Sequence, residues 1–283
     1  EAKKSLFTPA HSRCGVVCVD DEWGLRLAQE SEVPVTTVSV FSHREADWTV
    51  RRINFDRAIP AVTFDLVTPQ GDERLIRMPM LGEVNVQNAV VALVAALKLG
   101  CEFEAAVSAL EGAEQIPGRM TSVNPDPGAQ PLVIVDFAHT PEGLDWTLKS
   151  VRELTRGKLV LVFGTDGDRD ATKREPLAEI AAQLADVLWV TDENPRTEDA
   201  SSIRQQLLNG IRRVRPDFHD VTEVTTCRRD AVRQAILAAD AGDIVVISGK
   251  GAEWYQDIQG IKHVYNDVPV AREVLEQDIR ARL

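Results

Sequence analysis

Pro131-Leu132-Val133-Ile134-Val135-Asp136-Phe137-Ala138-His139-Thr140-Pro141 decides how the second half of this chain folds. An unbroken aliphatic run rich in β-branched residues reads as a strand buried on both faces. Thr140 can cap a helix, and proline suits the first helical position, so a helix is predicted from Pro141. The same beat recurs in the aliphatic runs at 159–163, 187–191 and 244–247, each followed by a helical segment of about 10 to 15 residues. This alternation predicts an α/β fold with a mostly parallel, doubly wound sheet. Ligands of such sheets sit beyond the carboxyl ends of the strands, so the polar residues just after each run are the candidates for function.

After the first run, Asp136 and His139 are placed to hydrogen-bond a ribose or a phosphate, and equally suit a structural cap and a surface position. The second run leads into Gly164-Thr165-Asp166-Gly167-Asp168-Arg169-Asp170 and on to Lys173-Arg174. Its glycines permit tight turns, and its charges suit either a charged ligand or a solvated loop with internal ion pairs. It is not a P-loop, because the GxxxxGK[ST] spacing is missing. The third run ends in Thr191-Asp192-Glu193-Asn194-Pro195-Arg196. Arginine binds a carboxylate through two parallel hydrogen bonds while Asn and Glu receive an ammonium, so these types suit an amino-acid ligand. Ser248-Gly249-Lys250-Gly251-Ala252-Glu253 follows the fourth run and adds another glycine-flanked charge. Polar groups after all four runs point to one convergent site.

The first half lacks a regular beat. Strands are expected at 15–19 and 35–41 with helix Glu22–Glu30 between them, then a hairpin over 61–78 turning at Pro69-Gln70-Gly71-Asp72. Helices are expected at 86–99 and Phe103–Glu111, with Gly100 ending the first. The Pro-, Gly- and polar-rich segment 116–130 marks a domain boundary. A length of 283 residues agrees with two domains. With 32 Lys plus Arg against 44 Asp plus Glu, the net charge is -12 and no basic cluster exists, which argues against a nucleic-acid partner. The longest apolar run, 89–97, is too short for a membrane span of about 20 residues. Cys14, Cys18, Cys101 and Cys227 show no paired spacing, which fits a reducing, cytoplasmic setting. The chain opens at Glu1 with no signal-peptide pattern and is expected to be a piece of a longer protein.

By a set of ordered motifs the chain resembles the Mur ligases, ATP-dependent amino-acid-adding enzymes of peptidoglycan synthesis, and among them the tripeptide synthetases. Lys3-Lys4-Ser5-Leu6-Phe7 is similar to the family's KxxLF, Asn85-Val86-Gln87-Asn88-Ala89 to NVxNA, and Gly118-Arg119-Met120 to GRM. The stretch 135–141 resembles VDYAHTP, 164–174 resembles GCGGDRDxxKR, and 192–196 resembles DDNPR. The resemblance implies that residues 1–116 are the C-terminal part of a central ATP-binding domain whose P-loop is missing, and that 117–283 are a C-terminal Rossmann-like domain. Catalysis by this chain alone is then not expected.

The reaction implied is ATP-dependent. The carboxylate of UDP-N-acetylmuramoyl-L-alanyl-D-glutamate becomes an acyl phosphate, and the amine of meso-diaminopimelate attacks it to form an amide, with Mg2+ balancing the crowded negative charge. By the same resemblance Lys3 is the catalytic lysine, a Mg2+ ligand if carbamylated. Asn88, Arg119, Asp136 and His139 face ATP across the interdomain cleft. Arg174, Glu193, Asn194, Arg196, Gly249 and Glu253 surround the incoming amino acid, with Arg196 on its distal carboxylate. A monomer is expected. Three departures bear on these roles: Glu193 stands where the family has Asp, Ala252 where it has His, and Cys227 where it often has Asp. They leave open L-lysine or another diamino acid as substrate, and a degenerate paralogue that binds nucleotide or muropeptide without ligating. Asn194-Pro195-Arg196 argues against a folylpolyglutamate or cyanophycin synthetase.

Overall fold

Strands made wholly of aliphatic side chains need helices on both faces, and the second half of the chain supplies them. The computed structural model describes residues 2–42, 44–56, 61–124 and 127–282, so residues 125 and 126 of the 116–130 segment lie outside it. The chain forms two compact units, Glu1–Glu114 and Gln115–Leu283.

The first unit runs β1 (Gly15–Cys18), α1 (Glu22–Glu30), β2 (Val35–Ser39), β3 (Trp48–Asp56), β4 (Ala61–Val67), β5 (Glu73–Met78), α2 (Glu83–Lys98) and α3 (Phe103–Glu111), after a short 3-10 turn at Lys4–Phe7. Its sheet has the order β1-β2-β3-β4-β5, parallel from β1 to β3 and antiparallel from β3 to β5. Phe64, Leu66, Ile76 and Met78 from the strands and Val86, Val90, Leu93 and Val94 from α2 make its core.

The strand expected at 35–41 stops at Ser39 for a physical reason. The next three backbone N–H groups, of Val40, Phe41 and Ser42, donate to the Asp20 carboxylate at 3.0–3.1 Å instead of to a neighbouring strand. Burial works against the charge on Asp20, but the N–H groups of Ser42 and Val40, with Cys18 and Ser39, outweigh it and hold this carboxyl well below the usual range. Strand β3 has no counterpart in the sequence reading. Arg51, Arg52 and Asn54 face solvent, and the pairing with β4 shifts register between Arg51 and Asn54, where Arg52 adopts φ +50. Gly100, at φ +93, follows the end of α2 as expected of a left-handed terminator.

The second unit runs β6 (Thr121–Ser122), β7 (Leu132–Asp136), α4 (Pro141–Arg152), β8 (Leu159–Phe163), α5 (Arg174–Leu184), β9 (Val187–Val190), α6 (Ala200–Val214), β10 (Val221–Glu223), α7 (Arg228–Ala238), β11 (Ile244–Ser248), β12 (Tyr255–Ile258), β13 (Ile261–Val264) and α8 (Asp267–Arg282). The sheet order is β10-β9-β8-β11-β7-β6, parallel except for β6 at one edge. Thus β11 returns to the middle of the sheet, with Ile244 level with both Leu132 and Leu159. Val133, Val135, Val160, Val162, Val245 and Ile247 pack against α7 and α8, and the opposite row of Ile134, Leu161 and Val246 is equally buried. Thr140 caps α4 by accepting from Gly143 N, with Pro141 in the first turn. Among the described residues no helix is long and apolar enough to cross a membrane.

One ion pair ties three elements together. Arg228 at the start of α7 donates from Nε and Nη2 to the two oxygens of Asp267 at the start of α8, each at 2.9 Å, and Nη2 also reaches the carbonyl of Ser248 at 2.8 Å. Both side chains are fully buried. Removing one partner strands the other charge, so Asp267→Ala is expected to cost about 3–5 kcal/mol. Arg52→Ala, at an exposed arginine that bridges exposed Glu73 and the mostly buried Asp65, is expected to cost less, about 1 kcal/mol. Urea unfolding followed by tryptophan fluorescence checks this; equal losses in the two variants would show that the buried pair does not hold the unit together.

Candidate functional site

Polar residues excluded from β8, β9 and β11 gather past the ends of these strands, and a carboxamide joins them. Asn194 is fully buried. Its Oδ1 accepts from Lys250 Nζ at 2.8 Å and from the backbone N–H of Asp257 at 3.1 Å. Its Nδ2 donates to Asp166 Oδ1 at 2.9 Å and to Glu253 Oε2 at 3.0 Å. Lysine can only donate and carboxylates accept, so the chemistry fixes which way the amide faces. Lys250 Nζ also donates to Glu253 Oε2 at 2.8 Å. Residues from three loops thereby share one network.

Arg196 stands at its rim. Its backbone takes φ +53 and is held by the β12–β13 hairpin: its N–H donates to Asp257 O at 3.0 Å, and its carbonyl accepts from Gln259 N. Its side chain, about one-fifth exposed, reaches Asp166 Oδ2 through Nη2 at 3.3 Å. Asp166 and Asp257 raise its pKa against the opposing effect of burial. Nε is buried without a partner. The guanidinium thus keeps donors for a ligand.

Arg174 differs. It is 1% exposed and doubly bonded to Glu198, Nη1 to Oε2 at 2.9 Å and Nη2 to Oε1 at 2.8 Å, with further bonds to Gln206 and to the carbonyl of Asp166. Its donors brace the loop that carries Asp166. Glu193 is also buried and its Oε2 has no partner. Burial, and then the neighbouring charge of Asp166, push this carboxyl up to about 8. Gly249 takes φ +113, and a side chain there would meet Glu193 Oε2 at 2.5 Å, so the space beside Gly249 belongs to the glutamate.

Next to this network, Asp136 is committed within its own unit. Oδ2 accepts from Met120 N and Oδ1 from Ala138 N and Thr147 Oγ1, all at 2.9 Å. The ring of His139 has Nδ1 2.8 Å from the carbonyl of Phe137. A carbonyl accepts, so Nδ1 carries the hydrogen. His139 meets the Phe137 ring edge-on at 4.6 Å, and the guanidinium of exposed Arg119 lies 4.4 Å over the same ring. Gly118, at φ +67, lets this loop approach the backbone of Gly251 and Ala252 where any side chain would collide.

Arg174, Glu193, Asn194, Arg196, Gly249 and Glu253 therefore come together, with Asp136, His139 and Arg119 beside them in the same unit. Lys3 and Asn88 are exposed residues of the first unit. Lys3 borders a cavity of about 740 Å³ with Phe7, Val17, Trp23 and Leu27. Among the described residues no group of three or more His, Cys, Asp or Glu is placed to hold a metal ion. Sequence reasoning missed the structural parts of the site. Asp166 and Lys250 stood in quoted loops without a role, and Glu198 lies 24 residues from the arginine it pairs with.

Comparison with known proteins gives these residues a context. Residues 1–96 match the Mur ligase middle domain and residues 118–251 the Mur ligase glutamate ligase domain. A curated Streptomyces coelicolor protein, UDP-N-acetylmuramoyl-L-alanyl-D-glutamate--2,6-diaminopimelate ligase, is 37% identical over 277 residues, 98% of this chain and 54% of its own length. A UDP-N-acetylmuramyl-tripeptide synthetase of Leifsonia xyli subsp. xyli is 40% identical over 280 residues, 98% of this chain and 53% of that protein. A solved structure of a UDP-N-acetylmuramoyl-L-alanyl-D-glutamate--2,6-diaminopimelate ligase superposes with a TM-score of 0.63 at 33% identity, covering 98% of this chain and 56% of the other. The chain spans about half the length of the curated relatives it matches. Carrying the middle and glutamate ligase domains one after the other, the chain belongs to the Mur ligase family.

Proposed function

We propose that the protein containing this chain joins meso-diaminopimelate to UDP-N-acetylmuramoyl-L-alanyl-D-glutamate in an ATP-dependent reaction of peptidoglycan synthesis. The names of its relatives support this reading. The observation that carries it is the state of Arg196, a guanidinium with a single side-chain partner among the described residues, Asp166 at 3.3 Å, whose other oxygen joins the Asn194–Glu253 network. A partly exposed guanidinium with donors to spare, beside a network that carries two carboxylates, suits a ligand that offers a carboxylate and an ammonium a few bonds apart. A diamino diacid has one such pair at each end, so one end binds here while the amine of the other acts as nucleophile.

ATP supplies the phosphoryl group that activates the acceptor carboxylate. Arg119 over Phe137, with the His139 ring edge-on to the same phenyl, is a chemically suitable surface for a nucleotide, and Asn88 is assigned to ATP by family resemblance. Asp136 serves by shaping that surface, because its three donors occupy it. Among the described residues no group of three or more His, Cys, Asp or Glu forms a ready set of ligands for Mg2+. Lys3, exposed at the edge of its cavity, is assigned to the metal only in carbamylated form.

Competition between meso-diaminopimelate and L-lysine in the complete protein tests the reading. Lysine brings no second carboxylate to the guanidinium's remaining donors, so a preference for meso-diaminopimelate of at least ~100-fold is expected, and Arg196→Ala or Arg196→Lys should remove most of it. A parent protein that prefers lysine rules out this role for Arg196.

The buried Glu193 carries a separate expectation. Its pKa rises from the ordinary 4.5 to about 8, so the folded chain keeps a proton that the unfolded chain releases. Between those values the folded state binds more protons, and stability falls as pH rises. Glu193→Gln removes this dependence. Urea midpoints at pH 5 and pH 8 should show the variant gaining on the parent at the higher pH, and parallel shifts in the two proteins would contradict the assignment.

A further inference from the structure

We propose that Lys250 is a positioning residue that aims Arg196, acting through Asn194 and Asp166. This rests on the reading of Arg196 as the carboxylate-binding group. Lys250 cannot itself touch a ligand, because its side chain is fully buried. Its ammonium is surrounded by Asn194 Oδ1 and Glu253 Oε2, both at 2.8 Å, and by the Tyr255 ring at 5.8 Å. A buried cation is tolerated only with such partners, and here the partners are themselves parts of the site.

The consequence passes along the network one bond at a time. With Oδ1 of Asn194 held by the ammonium, Nδ2 is turned toward Asp166 and Glu253. With Oδ1 of Asp166 taken by that amide, Oδ2 is the oxygen presented to Arg196 Nη2. Among the described residues the arginine's other hydrogen bonds are made by its backbone, so Asp166 is the side chain that orients its guanidinium. Loss of the ammonium weakens this hold without abolishing it, since Asp257 N reaches the same Oδ1 at 3.1 Å. It also leaves Glu253 without its cation, a second carboxylate competing with Asp166 for one amide group.

Lys250→Met and Lys250→Gln in the 283-residue chain provide the test, with two readouts: the 15N resonances of Arg196 Nε–Hε and the Asn194 carboxamide, and calorimetric titration with meso-diaminopimelate and with L-lysine. In Lys250→Met both resonances should move, and the ratio of the two affinities should fall at least ~10-fold while lysine binding changes less than ~3-fold. Lys250→Gln keeps one neutral donor and should recover part of the ratio. A purely structural lysine would lower the unfolding midpoint and leave the ratio alone. A folded Lys250→Met with the parent's Arg196 resonance and ratio overturns the proposal. If Lys250→Met does not fold, Lys250→Gln decides, and a resonance and ratio equal to the parent's overturn it. A parent that binds both amino acids alike defeats the ligand reading, while the Arg196 resonance in the variants still judges the positioning role.

Discussion

A strand covered by helices on both faces has room for polar side chains only past its ends, and that constraint organises the second unit. β11 lies between β7 and β8 in matched register, and the three strands present aliphatic side chains to helices above and below. An unpaired polar group among them would cost more than any contact it made could return. The polar residues are therefore displaced to the carboxyl edge, where Asp166, Asn194 and Lys250 meet although they are far apart in sequence. The site follows from how the core excludes charge.

At that edge, burial sorts the charges into two kinds. Arg174 with Glu198, Arg228 with Asp267, Arg204 with Asp192, and Lys250 with Glu253 are cations withdrawn from water and matched by carboxylates. Each is held by two or more hydrogen bonds inside the unit, so they brace the loops. Glu193 is an acid withdrawn without a close partner, and desolvation favours its neutral form. Arg196 belongs to neither group. It is partly exposed and held by one long contact, which leaves its binding capacity unspent.

What the sequence revealed follows the same division. The runs at 132–135, 159–163 and 244–247 were legible because a strand buried on both faces needs no alternation to be recognised. Strand β3 was not, since Arg51, Arg52 and Asn54 interrupt it and a register shift breaks its period. The hairpin of β12 and β13 escaped for a similar reason: Gln256, Asp257, Lys262 and His263 make its sequence polar, although Gln256 turns inward to the carbonyl of Glu193, and the hairpin pairs with the Arg196 segment. Arg196, Asn194 and Glu253 could be singled out by residue type after a strand. The inward turn of Arg174 toward Glu198 could not, because nothing local marks a partner 24 residues away. The early end of β2 likewise depends on Asp20, a side chain beyond the end of another strand.

Main-chain hydrogen bonds are indifferent to the side chains they carry. Arg196 hangs from two of them, one given to Asp257 and one received from Gln259, at the point where its loop bridges to Ile258. A different residue at this position would inherit the same anchor and project into the same space, at the modest cost of a left-handed backbone. The core of the unit, with its matched strands and buried ion pairs, would not register the exchange. On the proposed role of Arg196, ligand choice is thus modular with respect to folding, and a lineage can revise what this site accepts without renegotiating how the domain is held together.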